Sequence, residues 1–414
     1  MSPEKSDLIF RTFDTLADRH QMKPTRESAL NVLSDFISRA GHPYSLGRNF
    51  VADKNEISTV SKLSPYVRRR IITEHEIVSE VLKHHNLKES HKFIQEILWR
   101  TYWKGWLEMR PAIWARFLQE RSLQLSTFSD LRSISDAENG RTGIDGFDQW
   151  ARELCETGYL HNHVRMWFAS IWIFTLRLPW VLGADFFLRH LKDADPASNT
   201  LSWRWVAGLH TTGKTYLATR ENISRYTNGM FSPSGLATEA IPLCDPYVET
   251  SSIPTASKWN DIRQHALILI TDEDMHPESI FADFTLFRSA LVAVDPTLLF
   301  GNNARLFTNT AATDVAERLT TNMGFSVEQL NRLESDEILS AAHSAGARLV
   351  VTPYAPVGPV ADRLKLIGVE LAAQGVELMQ IRREWDQRFW PHATKGYFSF
   401  RESSLSILND LVSN

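Results

Sequence analysis

The sequence predicts an α+β protein of two domains: an all-helical half followed by an α/β half with a mostly parallel sheet. Three observations lead there. Before about residue 250, apolar residues recur at helical spacing and no strong alternating strand pattern interrupts them. A segment from Ile241 to Asp261 then carries Pro242, Pro246 and Pro254 together with Ser251, Ser252 and Thr255, the composition of a linker. Beyond it, short apolar runs of buried-strand type alternate with helical segments, the grammar of an α/β fold. The expected boundaries are 1–240 for the helical domain, 241–262 for the linker and 263–414 for the α/β domain.

The elements follow in order. Leu30, Leu33, Phe36 and Ile37 fall at helical spacing after a Pro24-Thr25 start. Val78, Val81 and Leu82 continue the pattern, as do Phe93, Ile97, Leu98 and Tyr102. Asp145-Gly146-Phe147 opens another helix, and Phe186, Phe187, Leu188 and Leu191 mark the next. The most apolar window, Met166 to Phe174, is bracketed by Arg165 and Arg177. It is far shorter than the ~20 residues of a membrane span and reads as a buried helix. In the second half, strands are expected at Ala266–Thr271, Ala290–Val294, Ala304–Phe307, Arg348–Thr352 and Val376–Gln380, with helices at Ser335–Ala345 and Gly358–Ala373. No internal repeat or low-complexity tract appears.

Composition bounds the function. The 414 residues suit two domains, and 43% apolar with 23% charged residues is an ordinary globular balance. The net charge of −4 argues against nucleic-acid binding by bulk charge, but not against a local basic rim. Cys155 and Cys244 cannot build a disulfide scaffold, so a reducing cytoplasm is expected, and a monomer with it. The first residues lack the apolar run of a signal peptide. There is no H-E-x-x-H, C-x-x-C pair or G-x-S-x-G, so neither a catalytic metal nor a hydrolase triad is expected.

Several segments carry the functional signal. Tyr44 and Arg48-Asn49 lie in one, followed by Ser61-Lys62-Leu63-Ser64-Pro65. Glu96-Ile97-Leu98-Trp99-Arg100 comes next, then Asn162-His163-Val164-Arg165-Met166. Asp193-Ala194-Asp195-Pro196-Ala197-Ser198-Asn199 leads into Trp203-Arg204-Trp205. Taken singly, each has a plain reading: a packed tyrosine, a helix cap, an i,i+4 ion pair between Glu96 and Arg100, a carboxylate at a helix start. Taken together, the series resembles the flavin pocket of the DNA photolyase and cryptochrome superfamily, whose segments read H-N-x-x-R-M and D-G-D-x-A-x-N-x-x-x-W-x-W.

That resemblance implies an all-α FAD-binding domain and assigns roles. Tyr44, Ser61, Lys62, Leu63 and Ser64 would bind the FAD phosphates, and Arg100, Asn162, Arg165, Asp193 and Asp195 would surround the flavin. Arg165 would sit beside Asp193, and a guanidinium against a carboxylate can hold an anionic flavin without a bare charge. Asn199 would lie opposite flavin N5, where an amide can both donate and accept. Trp203 would be the flavin-proximal member of an electron-transfer chain and Trp180 its middle member. The distal member has no clear counterpart, with Trp150, Trp167 and Trp172 as candidates. Glu96, Trp99, Asn162, Met166 and Trp205 would hold a flipped-out pyrimidine dimer, the two tryptophans forming flat walls.

The implied activity is light-driven repair of cyclobutane pyrimidine dimers in UV-damaged DNA by an electron from reduced FAD. The alternative is a cryptochrome-like FAD blue-light receptor that signals through a partner without repair. An antenna pigment, a folate or a deazaflavin, has nothing in the sequence to support it. The chain departs from the pattern at Val60, Arg70, Thr101, His163 and Arg204, and in the Gly208 to Leu217 loop, where Lys214 with Arg220 and Arg225 offers a basic rim. Leu269 to Asp274 and His392 to Phe400 are similar to segments of the family's α/β domain. That domain comes first in the family, so the chain is expected to be circularly permuted.

Overall fold

The computed structural model describes residues 22–51, 58–281, 284–324 and 326–412. Thr25 caps α1 (Arg26–Ile37), its hydroxyl accepting from the Ser28 N–H, which fixes the start that Pro24-Thr25 announces. The short α2 (His42–Gly47) and α3 (Ser64–Arg68) follow. Thr73 and Glu76 then form a reciprocal capping box for α4 (Glu74–His84). The 22-residue α5 (Leu87–Glu108) is the spine of the helical unit, with α2, α4, α11 and the last helix packed on it.

Helices α6 (Pro111–Thr127), α7 (Leu131–Glu138) and α8 (Phe147–Thr157) lead to α9 (Asn162–Ser170). The apolar window expected as one buried helix ends in a π-helical turn, Ile171–Thr175, which is buried as expected. Next come α10 (Trp180–His190), α11 (Pro196–Val206) and α12 (Arg220–Tyr226). From 236 to 256 the chain runs without regular structure, as its prolines require.

The second half carries a five-stranded, all-parallel sheet in the order β3-β2-β1-β4-β5. Its strands are β1 (Ala266–Thr271), β2 (Phe287–Ala293), β3 (Val327–Leu330), β4 (Leu349–Pro353) and β5 (Glu377–Ile381). Between them lie α13 (Asn302–Met323), α14 (Ser335–Ser344) and α15 (Pro359–Ala373). The strand expected at Ala304–Phe307 is instead the first turns of α13. Its apolar positions Ala304, Phe307, Ala311 and Val315 recur at three and four, which a four-residue window cannot distinguish from a strand. The third strand, Val327–Leu330, escaped notice because Glu328 and Gln329 break its apolar run at the sheet edge.

Alternation along the strands divides the core. Ile268, Ile270, Val292 and Val351 face the helical unit and join its continuous apolar core. Leu267, Leu269, Leu291 and Val350 face α14 and α15 in a second core. After β5 the chain returns to the helical unit: α16 (Glu384–Phe389) and α17 (Tyr397–Val412) pack on α5. Gly105 makes this possible, because a Cβ there would lie 2.9 Å from the Trp390 backbone.

Candidate functional site

Two buried carboxylates at the start of α11 organise the site. Asp195 caps the helix, its Oδ1 accepting from the Ser198 N–H at 2.8 Å, while Arg100 Nη1 donates to its Oδ2 at 2.6 Å. Arg165 Nη1 donates to Asp193 Oδ2 at 3.0 Å, and Arg100 Nη2 lies 3.9 Å from the same oxygen. Burial pushes both carboxyls up, yet both titrate below the ordinary range. Arg165 and Arg100 outweigh burial at Asp193, and Arg100, Lys104 and Arg68 do so at Asp195. The predicted partnership of Arg165 with Asp193 is therefore formed. The plain alternative for Glu96 and Arg100, an i,i+4 ion pair, is not formed, because Arg100 turns to the aspartates and Glu96 pairs with Arg48.

The backbone around this pair is held in sparsely used conformations. Ala194, between the aspartates, has φ +33°, Arg70 has φ +48° and Lys62 has φ +55°. Each non-glycine left-handed residue costs of order 1 kcal/mol and persists only where its surroundings dictate it. Ala194 and Arg70 stand where the resembled family writes glycine.

The other expected flavin contacts are arranged as follows. Tyr44 is buried on α2, its ring edge-on to Phe36 and Phe93. Ser61 Oγ accepts from the Leu63 N–H at 3.4 Å, Leu63 is buried, and Ser64 opens α3. Lys62 is exposed, with Nζ 5.8 Å from the Tyr159 ring centre, and the Arg165 guanidinium lies 5.9 Å from the same ring. Asn162 opens α9 and is exposed. Asn199 Nδ2 donates to the Ala184 carbonyl at 2.8 Å, which ties α11 to α10 and orients the amide.

An FAD fit can be tested on the groups left over. The buried atoms Asp193 Oδ1, Ser198 Oγ and Thr200 Oγ1 have no hydrogen-bond partner among the described residues. A buried acceptor without a partner costs about 1–3 kcal/mol, so these oxygens are poised for an added group. With Arg100, Arg165 and Lys62 supplying cationic donors and Ser61 and Ser64 hydroxyls, the donor set suits a ligand with phosphates and a polar heterocycle.

Trp203 is buried, and the π-helical turn brings Trp172 against it at 6.3 Å between ring centres. Both indoles press on Gly183 of α10, where a Cβ would lie 2.3 Å from Trp203. Trp180 has Phe117 at 5.8 Å and the Arg204 guanidinium at 5.8 Å as ring neighbours.

Of the five residues expected to hold a dimer, three are engaged with other side chains. Trp99 is stacked on Tyr397 of α17, centres 3.5 Å apart and planes within 8°. Trp205 is stacked on Tyr216 at 5.7 Å. Glu96 pairs with Arg48, Asn162 is exposed, and Met166 is half-buried on α9. Of the basic rim, Lys214, Arg220 and Arg225 are all exposed, Arg220 bonding Ser232 and Arg225 lying over Tyr226.

Residues the sequence reading missed extend the site into the sheet. Arg68 is buried and donates to both oxygens of Glu273, at 2.7 Å each, while Nε lies 3.9 Å from Asp195 Oδ2. Arg70 pairs with Asp386 at 2.7 Å and Glu74 at 3.3 Å. Lys104, buried with no partner for Nζ among the described residues, titrates below its ordinary range through burial and the nearby Arg70. The run Arg68-Arg69-Arg70 was the available signal, since three consecutive arginines that all become buried require acids from elsewhere. Among the described residues, no cluster of metal-ligating side chains is present, and no helix is long and apolar enough to cross a membrane.

The geometry thus defines a helical unit whose donor set suits a cofactor. Residues 93–234 match the FAD binding domain of DNA photolyase. The deoxyribodipyrimidine photo-lyase of Agrobacterium fabrum is 32% identical over 188 residues, 45% of this chain and 38% of that protein. That of Alkalihalophilus pseudofirmus is 28% identical over 191 residues, 46% of this chain and 39% of the relative. A bacterial class III photolyase from Agrobacterium tumefaciens superposes with a TM-score of 0.42 at 29% identity, covering 49% of this chain and 43% of that one. The chain thus spans well under half the length of these relatives. The likeness to the DNA photolyase and cryptochrome superfamily is carried by the helical part of the chain.

Proposed function

We propose that this protein binds FAD in its helical half and splits cyclobutane pyrimidine dimers in UV-damaged DNA by light-driven electron transfer. The observation that carries the reading is the pair of buried aspartates, Asp193 and Asp195, held ionised by Arg165 and Arg100, with Asp193 Oδ1 left unpartnered among the described residues. Bound FAD supplies light absorption and a transferable electron. The chain supplies the rest. Arg165 and Arg100 fix the aspartates so that a polar ring edge meets acceptors of defined direction. Tyr44, Ser61, Lys62, Leu63 and Ser64 offer the phosphate contacts. Asn199, oriented by its bond to Ala184, presents its amide oxygen, and Trp203 with Trp180 or Trp172 gives an aromatic path outward. Trp99, Trp205, Met166, Glu96 and Asn162 form the dimer pocket in this reading, with Lys214, Arg220 and Arg225 meeting phosphates.

The order of the two units supports a circular permutation, since the photolyase-like match at 93–234 precedes the parallel sheet rather than following it. A second reading, an FAD blue-light receptor without repair that signals through a protein partner, is favoured by the Trp99–Tyr397 stack and the Glu96–Arg48 pair. One experiment separates the two. Photoreduced protein is mixed with UV-irradiated oligothymidine and absorbance at 260 nm is followed under blue light and in the dark. A light-dependent rise supports repair. Bound, photoreducible FAD with no rise supports the receptor.

A further inference from the structure

The stack on Trp99 is the closest aromatic contact in the described protein, and both partners have further neighbours. Tyr397 is 6% exposed, and its hydroxyl donates to the Gln95 carbonyl at 2.9 Å, one turn before Trp99 on α5. On α5 itself, Trp103 lies 5.0 Å from Trp99, tilted by 34°, and Tyr102 meets it edge-on at 5.7 Å. One face of the Trp99 ring is thus fully taken by Tyr397 and the rest is crowded by its own helix. A flat base can stack only where a ring face is free, because stacking energy comes from face-to-face contact at van der Waals distance.

The chain that delivers Tyr397 is fastened to the helical unit at several points. Tyr102 Oη donates to the Lys395 carbonyl at 2.9 Å, and Arg110 Nη2 to the Thr394 carbonyl at 2.8 Å. Trp385 Nε1 donates to Thr101 Oγ1 at 2.9 Å. Segment 385–397 is therefore a strap across α5, meeting its Thr101 and Gly105 side at Trp385 and Trp390 and reaching Trp99 at Tyr397.

We propose that Tyr397 occludes the dimer pocket: it occupies the face of Trp99 that a pyrimidine would take, and α17 must give up that stack before a dimer can bind. This rests on the reading of Trp99 as a wall of that pocket. The strap lowers the affinity of any ligand that stacks on this face of Trp99 by the cost of giving up the Tyr397 stack.

The test uses the FAD-loaded full chain in the dark. Affinity for a labelled oligothymidine carrying one dimer is measured by fluorescence anisotropy for the unaltered protein, Tyr397→Ala and Tyr397→Phe. In parallel, 5-fluorotryptophan is incorporated and the Trp99 resonance is assigned through Trp99→Phe. Tyr397→Ala is expected to bind about tenfold more tightly, in keeping with the exchange of one aromatic stack, while Tyr397→Phe behaves as the unaltered protein. The Trp99 resonance should answer the oligonucleotide strongly only in Tyr397→Ala. Equal affinities, with Trp99 responding equally in both proteins, overturn the role of Tyr397 and leave Trp99 as a pocket wall. Binding without any Trp99 response overturns the Trp99 reading and the proposal with it. Absence of binding by Tyr397→Ala overturns the proposal, because freeing the ring face then admits nothing. Should Tyr397→Ala melt out, Tyr397→Leu keeps the burial without a planar ring and carries the same test.

Discussion

Replacing Glu273 by Met tests how the two units are held together. Arg68 and Glu273 are both within 4% of full burial, and they share two parallel hydrogen bonds of 2.7 Å. Removing one member of such a pair strands a buried guanidinium, at a cost of about 3–5 kcal/mol. Asp195 at 3.9 Å and Asp272 at 4.0 Å remain near Arg68 and place the expected loss toward the lower figure. With an unfolding entropy of roughly 2.1 cal/mol/K per residue, a 414-residue cooperative unit would lose about 3–5 °C in Tm. Arg68→Met should cost a similar amount by stranding Glu273. The double variant should lose less than the two single losses added, since no unpaired charge is left. Thermal unfolding followed by circular dichroism checks all three. A loss below about 1 °C for Glu273→Met, or strict additivity in the double variant, would refute the claim that this pair is a buried, mutually dependent contact.

Further outcomes are expected. Trp203→Phe should slow photoreduction of bound FAD, and Trp172→Phe should slow it more than Trp180→Phe, because Trp172 is the indole that lies against Trp203; transient absorption reads the rates. Asn199→Asp should change which flavin redox state accumulates in light, seen in the visible spectrum, and an unchanged spectrum counts against its placement at N5. Trp99→Ala combined with Trp205→Ala should abolish dimer binding while FAD stays bound, by anisotropy and flavin absorbance. The protein should lose stability as pH falls from about 6.5 to about 4, read as Tm against pH. Burial, helped at His161 by His163 and Arg165, pushes the buried His161 and His276 each down to about 4. The unfolded chain then binds more protons across that window, so each histidine costs up to about 1.4 kcal/mol per pH unit, and above it the contribution is fully present.

What could be read from the sequence was what local rules govern. Thr25 and Thr73 cap helices because their hydroxyls serve residues three positions on. The strand at Ala266–Thr271 declares itself by an unbroken apolar run. The aspartates before α11 and Arg165 match the residue pattern of the resembled family, and the structure joins Arg165 to Asp193 as that resemblance led one to expect. What stayed hidden depends on distant chain. Arg68 and Glu273 are 205 residues apart, and Tyr397 meets Trp99 from almost 300 residues away, so no spacing rule links them. Arg100 illustrates the limit: four residues from Glu96, it has a helical partner at hand, yet it turns to Asp195, because a buried carboxylate needs a cation more than a partly solvated one does.

The same logic bears on the second unit. In a doubly wound sheet of order 3-2-1-4-5, ligands bind beyond the carboxyl ends of the strands where the order reverses, here between β1 and β4. In this protein the helical unit reaches into that place. Beyond β1, Glu273 receives Arg68 and Asp274 lies 3.5 Å from Arg70. Beyond β4, the Tyr354 hydroxyl and the Val357 N–H both donate to Glu108 of α5, at 2.7 and 2.6 Å, and Gly358 lies where a Cβ would touch Pro196. Pro196 directly follows Asp195, and Arg68 stands between Asp195 and Glu273. The carboxyl ends of the central strands therefore act as the outer wall of the aspartate site. A charge altered at Glu273 is felt at Asp195 through one guanidinium, which makes the α/β unit part of the electrostatic setting of the helical one.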